Sequence, residues 1–365
     1  MKKILKDFTP MAGHHCITNS LRQVFKFNKI IISEEMLFGL GLGLNFQYYD
    51  AKNIPFPIVT GRTKLIEFEE NLANNTGLDI EIKESKSRRR AYVELLNSLE
   101  DNQPQIVYVD MGKLDYLNLP EDFHHGGHTV VVFGIDEEDG VAFVSDRDSK
   151  TRKLTMLDDE QPQDYHIISL DELADARDSA DKPYPPKNKR IVINFNKYFK
   201  IDQTLLYKII EENAEAMLNS PTRKSGVRGI QHFRDALDEW KEFDDDKLHI
   251  SSINMFFMIN ELGGTGGGCF RRLYGNFLRE TAEATKEKFF KHAGVAYVKI
   301  ADDWDAISRH MMDISQSGNR ELLGKIQSIL QIIHIREKEL LERLQEYIIK
   351  SRKKSYSDPT SWRIN

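Results

Sequence analysis

Three side chains in the first half of the 365-residue sequence have the types and surroundings of a nucleophilic catalytic site. Cys16 ends the tetrapeptide Gly-His-His-Cys and lies at the start of a predicted helix, where free backbone N–H groups and the helix dipole favour a thiolate. His128 directly precedes the β-rich run 129–134, and Asp146 directly follows a second β-rich segment, residues 141–145. A thiol, an imidazole and a carboxylate in this setting predict covalent catalysis by Cys16.

The spacing of the imidazole and the carboxylate can be compared with a predicted hairpin. The turn signal Asp139-Gly140 joins residues 129–134 to residues 141–145 in an antiparallel pair. The midpoint between His128 and Asp146 is residue 137, inside this turn, so we expect the two to be direct cross-strand neighbours. Asp148 shares the side-chain parity of Asp146 and is the reserve candidate for the carboxylate that orients the imidazole.

The elements that must position these residues follow from hydrophobic spacing. Apolar residues at helical intervals predict a helix at 17–27, directly after Cys16. Beyond residue 199 the pattern is helical almost throughout. A second helix is predicted at 33–40, with Ser33 as its cap and with Glu34 and Glu35 in its first turn. A further helix is predicted at 91–99, and further strands are predicted at 105–110 and 190–195. The chain is therefore mixed in its first half and helical in its second.

Composition limits the partners and the location. Hydrophobic residues make up 40% and charged residues 30% of the chain, as is typical of soluble globular proteins. The formal charge of −6 gives no general attraction to nucleic acid, and no segment approaches the roughly 18 apolar residues of a membrane-spanning helix. We therefore expect a cytoplasmic protein without a nucleic-acid or membrane partner, in which Cys16 and Cys269 remain thiols.

A zinc site is the main alternative for the histidines near Cys16. Adjacent histidines rarely bind one ion together, and Gly126-Gly127 oppose the helix that the spacing of His124 and His128 would need. The remaining ligand candidates are His14, His15, Cys16 and His125. We expect no metal and no bound cofactor. Cys269 has no histidine or aspartate partner nearby in the sequence and is expected to be structural.

Several motifs together resemble those of the BtrH type of butirosin-biosynthesis proteins. They are the Gly-His-His-Cys motif, residues 33–41 with Gly43 and Phe46, residues 126–134, the glycine-rich run 263–268, and residues 270–278. The resemblance extends over both halves of the chain. It implies an α+β fold, in which a papain-like N-terminal domain with an antiparallel sheet (residues 1–197) precedes an all-α substrate or lid domain (residues 198–365).

The same resemblance implies a function. The family's known member is an acyltransferase that moves an aminoacyl group from an acyl carrier protein thioester onto an aminoglycoside amine. By resemblance Cys16 is the nucleophile, His128 the base and acid, and Asp146 the orienting carboxylate. The implied partners are an acyl or peptidyl carrier protein, which brings its own phosphopantetheine, and a small-molecule amine acceptor, while the oligomeric state is left open. A cysteine hydrolase on the same triad and a catalytically silent binding module are the alternatives.

Two positions depart from the bacteriocin-leader-type peptidases that the family resembles in fold. Position 10 is Pro where the peptidases carry an oxyanion-stabilising Gln, and Asp146 is followed by Arg147 instead of Pro. We expect the backbone N–H of Cys16 to be one oxyanion donor and the side chain of His14 or His15 to be the other.

Glycine-rich and basic segments give three more predictions. Residues 39–43, which include Gly41 and Gly43, are expected to form a tight turn that lines the acyl pocket. Residues 263–268 are expected to form a flexible entry loop. Neither has the strand–helix setting of a phosphate-binding loop. An acidic carrier protein needs a local cationic patch, with a solvated linker as the alternative interpretation of the same residues. The densest basic cluster contains Lys83, Lys86, Arg88, Arg89 and Arg90.

Overall fold

The computed structural model of the protein describes residues 2–50, 56–119, 123–147, 165–182, 184–195 and 197–357. The chain forms two compact units, of which the first contains Met1–Leu37 and Leu65–Phe199 and the second contains Phe38–Lys64 and Lys200–Asn365. An antiparallel sheet in the first part of the chain precedes a mostly helical region, so the α+β class is confirmed. The predicted domains, 1–197 and 198–365, stay a prediction and differ from the compact units in segment 38–64.

Helices and strands are mixed along the first 200 residues. In the part of the chain described beyond them, the named elements are helices. In chain order the helices and strands are β1 (Lys2–Ile4), α1 (Cys16–Phe27), α2 (Glu34–Leu40), β2 (Leu44–Tyr49), β3 (Ile58–Arg62), α3 (Glu67–Thr76), β4 (Asp79–Glu84), α4 (Arg88–Glu100), β5 (Gln105–Val109), β6 (His128–Asp136), β7 (Val141–Ser145), β8 (His166–Ser169), α5 (Leu170–Asp178), β9 (Lys189–Asn194), α6 (Gln203–Leu218), α7 (Gly226–Trp240), α8 (Asp245–Ile259), α9 (Arg271–Thr285), α10 (Lys288–Ser317) and α11 (Glu321–Ser357).

The first unit is organised around β6. The sheet has the order β4-β9-β5-β6-β7-β8, with β1 also paired to β6, and every pairing is antiparallel. All nine residues of β6 are buried, as the apolar run 130–133 at its centre favours. Helix α1 packs against this strand, where Ser20 Oγ lies 3.2 Å from Thr129 Oγ1. The helix that begins at Cys16 is thus fixed on the strand that begins at His128.

The β6–β7 hairpin is confirmed, but its register differs from the predicted one. Val131 pairs with Ser145, and a bulge just beyond Val132 shifts the register of the remaining pairs. By this register Asp146 falls opposite residue 130, two positions along β6 from His128. The prediction of direct pairing is wrong because the bulge and the four turn residues 137–140 move β7 along its neighbour.

The second unit combines α6–α11 with the β2–β3 hairpin. Within it, the Tyr48 ring stacks on Phe233 with centroids 5.1 Å apart, and the Tyr48 hydroxyl accepts a 3.2 Å hydrogen bond from the Trp240 indole N–H. Phe46 stacks on Trp304 at 5.3 Å. The strands therefore supply aromatic core to the helices of this unit. In the described ranges, no helix is both long and apolar enough to cross a lipid bilayer.

The glycine-rich run before α9 is a packed turn. Residues 264–270 are all buried, and Gly268 donates its N–H to Asp305 Oδ1 at 2.8 Å. Gly268 has φ +59°, and a Cβ atom there would lie 2.4 Å from the Cα of Ala301, so only glycine fits. The Cys269 N–H donates to the Ile259 carbonyl at 2.9 Å. The prediction of a flexible entry loop is wrong, since hydrogen bonds and close packing hold this segment.

A buried ion pair follows this turn. Arg271 and Glu337 have no exposed side-chain surface and form a bidentate pair, with Nε–Oε1 and Nη2–Oε2 distances of 3.1 and 3.2 Å. The remaining guanidinium nitrogen donates to the carbonyls of Cys269 at 2.8 Å and Asn45 at 2.9 Å. Arg271 therefore ties α9 to α11 and to β2 within the second unit.

Candidate active site

Cys16 is the first residue of α1. The preceding residue, His15, is the extended N-cap (φ −127°, ψ 134°), and its imidazole makes no capping hydrogen bond to the helix. The first-turn N–H groups of a helix have no partner within the helix, so they present positive charge beside the thiol. The Cys16 side chain is partly exposed and hence accessible to a substrate. The predicted helix start is confirmed to within one residue.

His128 joins the thiol to the carboxylate. It is the first residue of β6, is 2% exposed, and places Nε2 2.7 Å from Asp146 Oδ2. The ring is also close enough to Cys16 to lower the pKa of its thiol. Because Asp146 engages Nε2, Nδ1 is the nitrogen left for the sulfur. The structure thus brings the three predicted residues together in the order thiol, imidazole, carboxylate.

Asp146 reaches His128 diagonally across the hairpin. It lies directly after β7, where two further donors hold its carboxylate: the Tyr116 hydroxyl at 2.9 Å from Oδ2 and the Arg147 backbone N–H at 2.6 Å from Oδ1. Diagonal neighbours on one face of a sheet are within reach of an aromatic side chain such as the His128 ring. The contact is therefore compatible with the shifted register. Asp148, the reserve carboxylate, lies outside the described residues.

The three ionisable groups stabilise one another's charged forms. Burial alone would raise the pKa of Cys16, but the His15 and His128 rings lower it well below the ordinary 9.0. Burial alone would lower the pKa of His128, yet Asp146 and the Cys16 sulfur raise it from 6.5 to about 10. Against its own burial, Asp146 has its pKa lowered from 3.8 to about 2 by His128 and Arg147. The resting site is therefore a thiolate–imidazolium pair backed by a carboxylate.

The two histidines before the nucleophile occupy different environments. The His15 side chain is buried and lowers the pKa of Cys16, whereas His14 is exposed. Of the two predicted side-chain oxyanion donors, His15 is thus the one that the structure places at the sulfur. An imidazole N–H at this position is able to donate to an oxygen that becomes negative during attack by the thiolate.

Gly41 and Gly43 form the predicted tight turn, and both are buried. Gly43 donates its N–H to the Phe38 carbonyl at 2.8 Å, and a Cβ atom at Gly43 would lie 2.5 Å from the Phe38 ring. Packing alone therefore accounts for glycine at position 43. The turn belongs to the second compact unit, and its role in an acyl pocket stays a prediction.

Three residues near the triad were not identified from the sequence. Tyr116 and Arg147 hold Asp146, and Tyr116 stacks on His166 with ring centroids 3.8 Å apart. Glu34 was predicted only as a first-turn acid of α2, but its carboxylate accepts hydrogen bonds from the chain before Cys16. No spacing rule links these residues to the triad, because their partners are distant in sequence. Arg147 adjoins Asp146, which was the one available signal.

Within the described ranges, one group of side chains has the ligand types and proximity of a metal site: Asp110, His124 and Asp181, whose ligand atoms lie within 4.8 Å of one another. The Asp110 carboxylate already accepts from the His124 ring at 3.0 Å and from Ser179 Oγ at 2.7 Å. Its other oxygen accepts two backbone N–H groups. With its lone pairs engaged in this way, Asp110 is suited to holding the loop rather than an ion.

The basic cluster predicted as a carrier-docking patch contains several ion pairs. Arg88 contacts Asp175 and Asp178, the latter at 2.8 Å, and Arg90 contacts Glu94 at 3.0 Å. The segment is not a linker, since it comprises the end of β4 and the first turn of α4. These carboxylates reduce the positive potential that the cluster presents to an acidic partner. Docking of a carrier protein at this cluster stays a prediction.

A partly exposed cysteine beside a buried histidine–aspartate pair, on an α+β scaffold, is typical of cysteine-dependent transferases and hydrolases. Residues 15–147, which include Cys16, His128 and Asp146, match the family model described as butirosin biosynthesis protein H, N-terminal. Residues 171–344 match a domain of unknown function, DUF4872. The chain therefore belongs to the BtrH-like family. The comparison with curated proteins gave no match.

Proposed function

We propose that the protein is an amide-forming acyltransferase of an antibiotic-type biosynthetic pathway, as the description of its first family match suggests. The observation that supports this most directly is that Cys16 begins α1 in a site where the His128 ring lies 2.7 Å from the Asp146 carboxylate. In this setting the pKa of Cys16 is lowered and that of His128 is raised to about 10. A thiolate of this kind is a ready nucleophile at neutral pH. A catalytically silent binding module would not need a thiolate–imidazolium pair of this kind.

The first half-reaction loads the enzyme. The Cys16 thiolate adds to the carbonyl carbon of an acyl thioester, which forms a C–S bond and a tetrahedral oxyanion. The Cys16 backbone N–H and the His15 ring are the proposed donors to this oxygen. Collapse breaks the C–S bond to the carrier thiol, and the His128 imidazolium gives its proton to the departing sulfur. Acyl-Cys16 and a neutral His128 remain.

The second half-reaction forms the amide. The amine nitrogen attacks the acyl-Cys16 carbonyl, and neutral His128 takes a proton from that nitrogen. The bond to sulfur then breaks, and Cys16 leaves as a thiolate, which restores the ion pair. Throughout, Asp146 orients the imidazole and stabilises its positive form.

The proposed substrates follow from this chemistry. The acyl donor is a thioester on an acyl or peptidyl carrier protein, and the acceptor is a small-molecule amine. Exchange between two thioesters is nearly energy-neutral, and aminolysis of a thioester is downhill, so the reaction needs no ATP. Water must be kept from acyl-Cys16, because its attack would make the protein a thioesterase.

Intact-protein mass spectrometry tests the first half-reaction. Incubation with an N-acetylcysteamine acyl thioester is expected to add one acyl group, which peptide mapping places on Cys16 and which a primary amine discharges as an amide. Cys16→Ala should take up no label. Cys269→Ala is the matched control and should label normally, because Cys269 is fully buried and burial raises its pKa to about 12.

Two results would contradict the proposal in different ways. Full turnover by Cys16→Ala, with no adduct on the wild-type protein from any activated thioester, would exclude covalent catalysis by this thiol. Formation of the free acid at a rate independent of added amine would instead assign the site to a hydrolase.

A further inference from the structure

Glu34 carries a buried carboxylate whose role the triad does not explain. Its side chain is 1% exposed and lies at the start of α2. One oxygen accepts the backbone N–H of His14 at 3.0 Å, and the other accepts the backbone N–H of His15 at 3.1 Å. The second oxygen also accepts the Thr18 hydroxyl at 2.8 Å. Both oxygens of this buried carboxylate are therefore hydrogen-bonded, as buried polar groups generally are.

These contacts fix the two residues that immediately precede the nucleophile. The chain approaches Glu34 so closely that a Cβ atom on Gly13 would lie 2.5 Å from Glu34 Oε1. The Thr18 hydroxyl, which donates to Glu34, also lies 3.4 Å from Nδ1 of His15. Glu34 therefore restrains both the backbone at 13–15 and, through Thr18, the imidazole of His15, the residue directly before Cys16.

The position of the carboxylate matters for the charge that develops during acyl transfer. Glu34 satisfies the N–H groups of the N-cap His15 and of the residue before it. The N–H of Cys16 is the next one along the chain and belongs to the first helical turn. An acid bound one residue further on would compete with an oxyanion for this donor. The observed arrangement orients the donor without occupying it.

We infer that Glu34 is a positioning residue of the oxyanion site: it sets the Cys16 N–H and the His15 ring towards the oxygen of the attacked carbonyl. The inference deepens the proposed acyl-transfer function and rests on it. A purely structural Glu34, which only joins α2 to α1, would affect every reaction of the thiol equally. A positioning Glu34 affects the reactions that develop an oxyanion.

Two reagents separate these cases in the full-length protein. Acylation of Cys16 by p-nitrophenyl acetate passes through a tetrahedral oxyanion, whereas alkylation by iodoacetamide displaces iodide at a saturated carbon and forms none. Both rates are measured on the high-pH plateau of each protein's alkylation rate, so that a change in the ionisation of Cys16 does not enter their ratio. The variant is Glu34→Gln, which keeps the side-chain size but presents an N–H group where an acceptor is needed.

We expect Glu34→Gln to slow acylation by about 10²-fold, the effect of removing one oxyanion donor, and to change alkylation less than about threefold. Glu35→Gln, one position along the same helix turn, is the matched control and should leave both rates unchanged. If Glu34→Gln does not fold, as judged by circular dichroism, Thr18→Val provides the test. It leaves the carboxylate in place, removes one donor to it, and should shift the ratio of the two rates in the same direction.

An equal loss of both rates, or no loss of either, would overturn the inference and leave the acyltransferase proposal intact. Failure of the wild-type protein to be acylated by any ester or thioester, although iodoacetamide alkylates Cys16, would overturn the proposed function and this inference with it.

Discussion

Gly13 donates its backbone N–H to the carbonyl of Arg147 at 3.0 Å, and the Arg147 guanidinium returns to the carbonyl of His14 at 3.3 Å. The chain just before the nucleophile is thereby tied to the chain just after the triad carboxylate, across 133 residues of sequence. Asp146 is adjacent to Arg147, and Cys16 lies two residues beyond His14. These two hydrogen bonds therefore help to set the distance that the His128 ring must span.

Replacing the triad carboxylate should disable acyl transfer while leaving the fold intact. In Asp146→Asn the amide no longer stabilises the imidazolium, so the pKa of His128 falls and its burial then favours the neutral ring. We expect a loss of about 10²- to 10⁴-fold in the rate of Cys16 acylation. Asp139→Asn, in the exposed turn of the same hairpin, is the control and should react as the wild type does. Full activity in Asp146→Asn would assign the orienting role elsewhere.

The ionisation of Cys16 should be visible as a shifted pH profile. Because the His15 and His128 rings lower its pKa, the rate of alkylation by iodoacetamide should reach half its maximum well below pH 9.0. Cys269, whose pKa is raised to about 12, contributes no signal in the folded protein. A half-maximum near the ordinary value of pH 9.0 would show that no thiolate–imidazolium pair exists.

The raised pKa of His128 should make the free energy of unfolding depend on pH. The folded pKa of His128 lies above its ordinary 6.5, so its charged form stabilises the fold below pH 6.5 and this contribution is lost as the pH rises through about 10. Melting temperatures of the wild type and of His128→Gln should therefore converge as the pH approaches 10. A constant difference across this range would contradict the pKa shift.

Tyr116→Phe removes one hydrogen bond to Asp146 Oδ2 and retains the stack on His166. We expect a loss of about 0.5–1.5 kcal/mol in the free energy of unfolding, together with slower acylation, because the carboxylate is held less firmly. Urea denaturation and stopped-flow acylation measure the two effects. Tyr92→Phe, which removes a hydroxyl bonded to Glu137 at the surface, is the matched control and should leave acylation unchanged.

Neighbouring arginines on α9 should differ in their effect on stability. Arg271→Met leaves Glu337 buried and unpaired, and we expect a loss of about 3–5 kcal/mol in the free energy of unfolding. Arg272, which is partly exposed and contacts Asp302 and Asp305, is the control, and Arg272→Met should cost at most about 1 kcal/mol. Equal effects in urea titrations would contradict the role assigned to burial.

The parts of the site that local pattern governs could be predicted from the sequence. The helix start at Cys16 and the strand start at His128 follow from hydrophobic periodicity and capping. The register of the hairpin could not be predicted, because the bulge beyond Val132 interrupts the apolar run 130–133, where hydrophobic pattern alone does not mark an extra residue. The choice of Asp146 was nevertheless supported, since a two-residue offset keeps the side chain on the same face.

Long-range partners account for what the sequence did not reveal. Glu34 has the sequence context of any first-turn acid, and only the fold brings it to the His14 and His15 N–H groups. The glycine-rich composition of residues 263–268 also led to a wrong prediction of flexibility. The glycines are needed there because several have positive φ angles and because the packing is too close for a Cβ atom.

The assignment of Phe38–Lys64 to the second compact unit has a consequence for synthesis on the ribosome. The helices of that unit begin to emerge 136 residues after Lys64, since the second part of the unit starts at Lys200. At a translation rate of about 5–20 residues per second, the delay is about 7 to 27 s. During this time Phe46, Tyr48 and Val59, which are buried in the finished protein, have no helices to cover them. The nascent chain is thus expected to be a client of ribosome-associated chaperones until α6–α11 are made.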